Sequence, residues 1–514
     1  MKQESSCLAD FTIASLPCTM RASFAVLLLL LGLVALSEQQ SEPISLTTTT
    51  TTTTTMTTTE TPKVLKKVCD VCNCTAEEII DCSNRKLETN LEEHEWPKGP
   101  IKLISFENNA IVRVKPFPNI TVAQLTLHNN KIENIERQSF KWLKNLTLLD
   151  LSQNKLNYEN FMPHALEGRF APEAYEPLDK LKILNLSGNE FHSLNRDLFE
   201  HVEDLKTLIL SNNPFLVFDQ SSTIAISSLP YLEELDLSLC TLKNLADSTL
   251  HTVRYLKKLN ISYNEFTKLP DALRDSPSLE TLILDGNPIE MLGRKNSFPV
   301  MPKLKELNLC HMPELLSIDR AAMSNLEALE IVRIENCTLL GEIDADAFAK
   351  PNDVGGTTWP ALKTLNISSN ALRYLPGNLL VRWDRLEELH LMNNQWACDC
   401  DNQYLIGTLL PQHGKRLMGA EAALLTCASP IEHQNKSLAE LAGRQLRCQD
   451  MYGARPERDA AVLVGMLVGV LLAVPAVLVL FILWRRGFIF CGAQGPASFS
   501  RAFYRRAPPY DENV

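Results

Sequence analysis

The chain has 514 residues and a formal net charge of −11, from 50 Lys and Arg against 61 Asp and Glu. Apolar residues make up 45% and charged residues 22%, which excludes a wholly disordered chain, a collagen and a pure coiled coil. A long nucleic-acid-binding face is excluded too, because phosphate contacts need clustered Lys and Arg.

From the N-terminus, Phe24–Leu36 is an apolar run of 13 that follows Arg21 and precedes a polar stretch. It has the length of a signal-peptide core and is too short to span a bilayer comfortably, so residues 1–37 are predicted as a signal peptide cleaved after Ser37. Met20 is an alternative start. Residues 38–62 hold the Thr47–Thr55 and Thr57–Thr59 tracts. No core can be built from them, and in a secreted chain they read as an extended, O-glycosylated spacer.

Residues 63–100 carry Cys69, Cys72, Cys74 and Cys82. Residues 101–396 then repeat a template, L-x-x-L-x-L-x-x-N-x-L. Twelve copies occur, with Asn-equivalent positions Asn109, Asn130, Asn154, Asn189, Asn213, Cys240, Asn264, Asn287, Met312, Cys337, Asn370 and Asn394. The L-x-L core predicts a short strand with inward leucines and outward polar residues. One such strand cannot bury its face alone, so the copies must stack and pool their cores. The Asn side chain can bond turn backbone groups that would otherwise be buried without partners. Cys240 and Cys337 can fill that slot as small buried thiols. The expected fold is α/β: a curved solenoid with a parallel concave sheet. Cys310 is expected to point outward. Two longer steps insert Asn157–Lys180 and a stretch including Asn352–Pro360.

Residues 397–448 hold a second even cluster, Cys398, Cys400, Cys427 and Cys448. In a secreted chain both clusters point to disulfides, although spacing alone also allows zinc, and four Cys permit three connectivities. A stalk at 449–459 leads to Ala460–Trp484, 25 residues without charge, long enough to cross a bilayer. Arg485 and Arg486 follow, so the positive-inside rule makes 485–514 a cytoplasmic tail and the chain a single-pass type I protein of the plasma membrane. Gly465-x-x-x-Gly469 would let two such helices approach, which admits a homodimer.

The repeats with their flanks, Cys69–Cys448, resemble extracellular leucine-rich-repeat proteins with cysteine-rich N- and C-flanks, the group of Slit, the Nogo receptor, Toll, Tartan and Capricious. The C-flank carries the resemblance: Asn394-Gln395-Trp396-Ala397-Cys398-Asp399-Cys400 departs from the usual N-P-W-x-C-D-C only at the Pro. The resemblance implies that Cys69 pairs with Cys74, Cys72 with Cys82, Cys398 with Cys427 and Cys400 with Cys448. It implies recognition of an extracellular or cell-surface protein ligand, in adhesion or as a co-receptor. The tail is too short for a Toll-type signalling domain.

No G-x-S-x-G, H-E-x-x-H or Gly-rich phosphate loop is present, so neither catalytic residues nor a cofactor or metal are assigned. His128, His311 and His390 read as surface histidines. Sequons stand at Asn73, Asn119, Asn145, Asn185, Asn260, Asn336, Asn366 and Asn435. Sugar at Asn185, Asn260 and Asn366 would cover rungs four, seven and eleven. That leaves rungs eight to ten for a partner, with Ile283, Asp285, Glu306, Asn308, Arg333 and Glu335 as contacts. The tail ends in Glu512-Asn513-Val514, similar to a PDZ-domain ligand, and Cys491 is a candidate for palmitate. The alternative function is a receptor that signals through adaptors on this tail.

Overall fold

The computed structural model describes residues 66–448, apart from 76–77, 172–173, 177, 353–354 and 381–383, together with 456–486. The leader, the Thr-rich spacer, Cys491, Glu512 and Val514 lie outside the described residues. The chain divides into a unit ending at Leu446 and a second from Arg447 onward.

The first unit is a solenoid of twelve rungs. Each rung contributes one short strand, from Pro100–Ser105 in rung one to Glu388–His390 in rung twelve, and strand order follows chain order. All rung-to-rung pairings are parallel and keep one register. Leu208 aligns in turn with Leu235, Leu259, Leu282, Leu307, Val332, Leu365 and Leu389. These side chains are fully buried, as their alternation with polar neighbours requires. Both longer steps become β-hairpins, Arg169–Ala171 with Ala174–Glu176 and Lys350–Pro351 with Thr357–Thr358.

The inward Asn residues join the rungs. Asn264 Nδ2 donates to the carbonyls of Leu237 and Ile261 at 2.9 and 3.0 Å, and its Oδ1 accepts the Leu242 and Cys240 N–H groups, both at 3.0 Å. Every one of those groups is out of reach of water, so the amide supplies what solvent cannot. Cys240 keeps half the function: its thiol donates to the Leu210 and Ser238 carbonyls at 3.3 Å. Cys337 does the same to the Leu309 carbonyl at 3.1 Å. Neither Cys nor Met312 can accept the N–H of the rung before. That rung carries Pro after its Asn-equivalent in all three cases, at Pro214, Pro288 and Pro313, and no other rung does. In two of the three the orphan N–H turns back on its own rung: Phe215 donates to the Asn213 carbonyl and Ile289 to the Asn287 carbonyl, each at 2.9 Å, while Glu314 of the third is exposed. Such i+2 bonds are γ-turns, whose central φ proline supplies.

The residue before each Asn-equivalent has φ between 50° and 68° in all twelve rungs. This left-handed turn sends the chain off the sheet, and Asn, Gly, Gln and Ser fill most of these positions. Leu239, Tyr263 and His311 are the bulky exceptions.

Flanks close both ends. The antiparallel pair Asn73–Cys74 and Ile79–Asp81 adds a rim to rung one, tied by Cys69–Cys74 and Cys72–Cys82. Trp96 donates from Nε1 to the Leu91 carbonyl and packs edge-on against Phe106 and Phe117. At the other end, buried Trp396 donates to the Leu391 carbonyl at 3.0 Å, and Cys398 bridges to Cys427. Cys400 and Cys448 are disulfide-bonded as well. Cys310, expected to point outward, is fully buried yet stands outside the hydrophobic core cluster, so its neighbours on that face cover it. Its N–H donates to the Asp285 carboxylate of the preceding rung at 2.7 Å.

The second unit is a helix, Pro456–Arg485, whose stretch Ala460–Arg485 has a mean hydropathy of 3.0 and is long and apolar enough to cross a membrane.

Candidate protein-binding face

The parallel register lines the outward residues of the strands into columns. One column runs Thr207, Glu234, Lys258, Thr281, Glu306, Ile331, and beside it stand Ile209, Asp236, Asn260, Ile283, Asn308, Arg333. Rungs eight to ten therefore bring Ile283, Glu306, Asn308 and Arg333 onto neighbouring strands, with Asp285 and Glu335 in the turns that follow them. Arg333 ties three of them together: it pairs with Glu306 and donates to Asn308 Oδ1 at 3.2 Å. Glu335 accepts from Asn366 Nδ2 at 3.2 Å. Asp285 is partly enclosed, and burial pushes its carboxyl above the ordinary value, against the pull of the Cys310 N–H, His311 and Arg333. Its part is to hold the next turn as much as to face a ligand. The floor between rungs six and ten is acidic, with Glu234, Asp236, Asp285, Glu306 and Glu335 against Lys258 and Arg333.

The three histidines have local partners. His128 Nδ1 lies 2.8 Å from Ser152 Oγ, His390 3.2 Å from Glu421, and His311 Nε2 3.3 Å from the Asn336 amide. Among the described residues no cluster of metal-ligating side chains forms.

The concave sequons have a structural origin. Asn260 Oδ1 accepts from the Ser262 N–H and hydroxyl at 3.1 and 2.7 Å. Asn185 with Ser187 and Asn366 with Ser368 repeat this, and Asp150 with Ser152 and Asp236 with Ser238 make the same bonds with a carboxylate. The motif needs an acceptor two residues before Ser, and its Asn version happens to spell a sequon. A glycan on Nδ2 leaves Oδ1 in place at Asn185 and Asn260, but displaces the Glu335 contact at Asn366.

Sequence reasoning missed two exposed groups. Leu239 and Tyr263 occupy left-handed turn positions with 52% and 43% of their surface exposed. Gly286 lies under the Tyr263 ring: a Cβ there would stand 2.4 Å from its Cδ1. The second group is on the lateral edge, where Tyr231 and Tyr255 stack at 6.1 Å and are 51% and 57% exposed. The positive-φ position marks the first group in sequence once the repeat is aligned; the stack needs the register.

Along the same edge runs a column of alternating charge, the residue just after the first leucine of each rung. From rung five to rung twelve it reads Lys206, Glu233, Lys257, Glu280, Lys305, Glu330, Lys363 and Glu387. Glu233 pairs with Lys206 and with Lys257, Glu280 with Lys305, and Glu330 with Lys363. The two lysines pull the Glu233 carboxyl down to about 2. Beside this column lies an open groove of about 520 Å³, with Ala328 and Ala361 among its lining residues.

Residues 120–168, 169–215 and 230–289 match the family described as "Leucine rich repeat". Asporin of Bos taurus is 23% identical over 197 residues, covering 36% of this chain and 46% of its own length. CD180 antigen of Mus musculus is 25% identical over 331 residues, covering 56% and 48%. Toll-like receptor 8 of Homo sapiens is 31% identical over 327 residues, covering 59% and 27%. The chain thus spans about half or less of these relatives' length. Among solved structures, the Leptospira interrogans protein LIC12759 is 22% identical with a TM-score of 0.43, covering 64% of this chain and 81% of that one.

Proposed function

We propose that this leucine-rich-repeat protein, with disulfide-closed flanks and one membrane-spanning helix, is a single-pass cell-surface protein that binds an extracellular protein through the concave face of rungs eight to ten. The observation that carries the reading is the Glu306–Asn308–Arg333 cluster on two adjacent, register-locked strands. Its side chains are held by one another on a rigid sheet, so a partner meets a face that is already ordered. The surface is open, as protein recognition requires, whereas catalysis favours an enclosed pocket. The acidic floor favours a basic partner surface. The N-terminal unit faces outside the cell, and the tail serves as a short adaptor-binding peptide.

The test is binding of cells that display the full chain to partner-bearing cells. Arg333→Glu lowers binding and truncation after Arg486 leaves it intact. Binding that survives Arg333→Glu removes the concave site; binding or downstream response lost with the tail favours the adaptor-signalling receptor.

A further inference from the structure

The alternating column and the Tyr231–Tyr255 stack share one property that neither has alone. An alternating series of even length changes sign when it is reversed. A two-fold axis between rungs eight and nine therefore sets every Lys of this column against a Glu of a second copy. Glu280 meets the second copy's Lys305, Lys257 meets Glu330, Glu233 meets Lys363, and Lys206 meets Glu387. A parallel pairing would place like on like along the whole column.

The neighbouring column obeys the same axis. Its residues immediately precede the first leucine of each rung. Tyr231 of rung six falls opposite Ala361 of rung eleven, and Tyr255 of rung seven opposite Ala328 of rung ten. The exposed stacked rings thus face the two small residues that line the groove. At the ends, Asp204 faces Arg385. One residue further out, Arg254 faces Glu327, while Glu203 opposite Asp384 is the like-charged pair at the periphery. An arc turned about its own radius falls on itself, so the curvature of the solenoid leaves these pairings in place.

From these observations we infer that the lateral edge of rungs five to twelve is a self-complementary surface on which a second copy of this chain docks antiparallel. The occupant is fixed by the sequence of charges: a closed two-fold interface requires each residue and its mate to be complementary on one surface, and this column meets that requirement at all eight positions. No sequon falls on these columns between rungs five and twelve. Seven rung spacings of about 4.8 Å and a width of three residues at ~3.3 Å, widened by side chains, give on the order of 1,000 Å² for both copies together. That is the lower edge of a specific interface, so association depends on concentration and, because the charges are exposed, weakens with salt.

The experiment uses full-length chains with two different tags, co-expressed and read by co-immunoprecipitation from detergent, with Gly465→Ile present throughout to silence helix pairing in the membrane. Glu280→Lys alone and Lys305→Glu alone each set like charges across the axis twice, and each is expected to lose self-association at least tenfold. Mixed together, the two variants pair Lys with Glu at both contacts and regain wild-type association, as does the double variant in one chain. Self-association of either single variant at the wild-type level, or a mixture as weak as its components, overturns the inference. Binding to the extracellular partner through rungs eight to ten is read separately, and a result there leaves this one unaffected.

Discussion

Replacing Asn264 by Met tests the physical basis of the rungs. The side chain is buried and its Oδ1 accepts from the Leu242 and Cys240 N–H groups, both on residues with no exposed surface. Methionine fills a similar volume but accepts neither. Rung six has Thr241 where the compensated rungs have Pro, so its chain is not preset for a γ-turn. Two buried donors left without partners cost about 1–3 kcal/mol each, so the loss is about 2–6 kcal/mol. That is a large share of the 5–15 kcal/mol typical of a folded domain. The reverse change, Met312→Asn, meets an Ile289 N–H already bonded to the Asn287 carbonyl at 2.9 Å, and it shifts stability by less than about 1 kcal/mol. Urea unfolding of the secreted Lys66–Cys448 region measures both, with exchange of the Leu242 amide reporting the local opening. Equal costs for the two substitutions, or an Asn264→Met loss under ~0.5 kcal/mol, would refute the argument that the amide is needed for its acceptor and that Pro replaces it.

Three further outcomes follow from the same contacts. The Glu233 carboxyl, held near 2 by Lys206 and Lys257, is depressed below its unfolded value of 4.5, so its contribution is present above that pH and lost as pH falls toward 2. The pair is largely exposed, and the effect is small; comparing Glu233→Gln with the wild type through that window measures it. Burial pushes the Cys240 thiol up to about 12, so the native chain leaves it unmodified by thiol reagents at pH 8, and rapid labelling without unfolding contradicts its placement. Asn185→Asp and Asn260→Asp remove two sequons and keep the acceptor for Ser187 and Ser262, as Asp150 and Asp236 do elsewhere. Secreted yield and melting temperature stay at wild-type levels, while Asn260→Ala lowers both.

Much of the solenoid is legible because its leucines recur at inward strand positions, and a repeated unit fixes its own register. The buried Trp396 and the cysteines around it are likewise carried by local sequence. What was not legible depends on bonds between rungs. Cys310 occupies a position filled by polar residues in most other copies, and its bond to the Asp285 carboxylate one rung earlier does not show in spacing. The Pro residues at 214, 288 and 313 gain meaning only beside the missing Asn of the following rung. Of the expected contact residues, Glu306, Asn308 and Arg333 meet through register, which spacing conveys. The dual position of Asp285 does not show in spacing, since it depends on a hydrogen bond to another rung. Leu239 and Tyr263 do not stand out in the sequence because an exposed apolar residue is ordinary until the positive φ beneath it is known; holding such a side chain there costs roughly 1 kcal/mol without core burial in return.

The measurement closest to the central claim places a photoreactive amino acid at Asn308 of the full-length chain on living cells, and in a second chain at Lys295, outside the sheet. The account predicts that Asn308 cross-links one extracellular protein, that Arg333→Glu abolishes this product, and that Lys295 does not form it. Cross-linking of the same protein from Lys295 with none from Asn308 would contradict it.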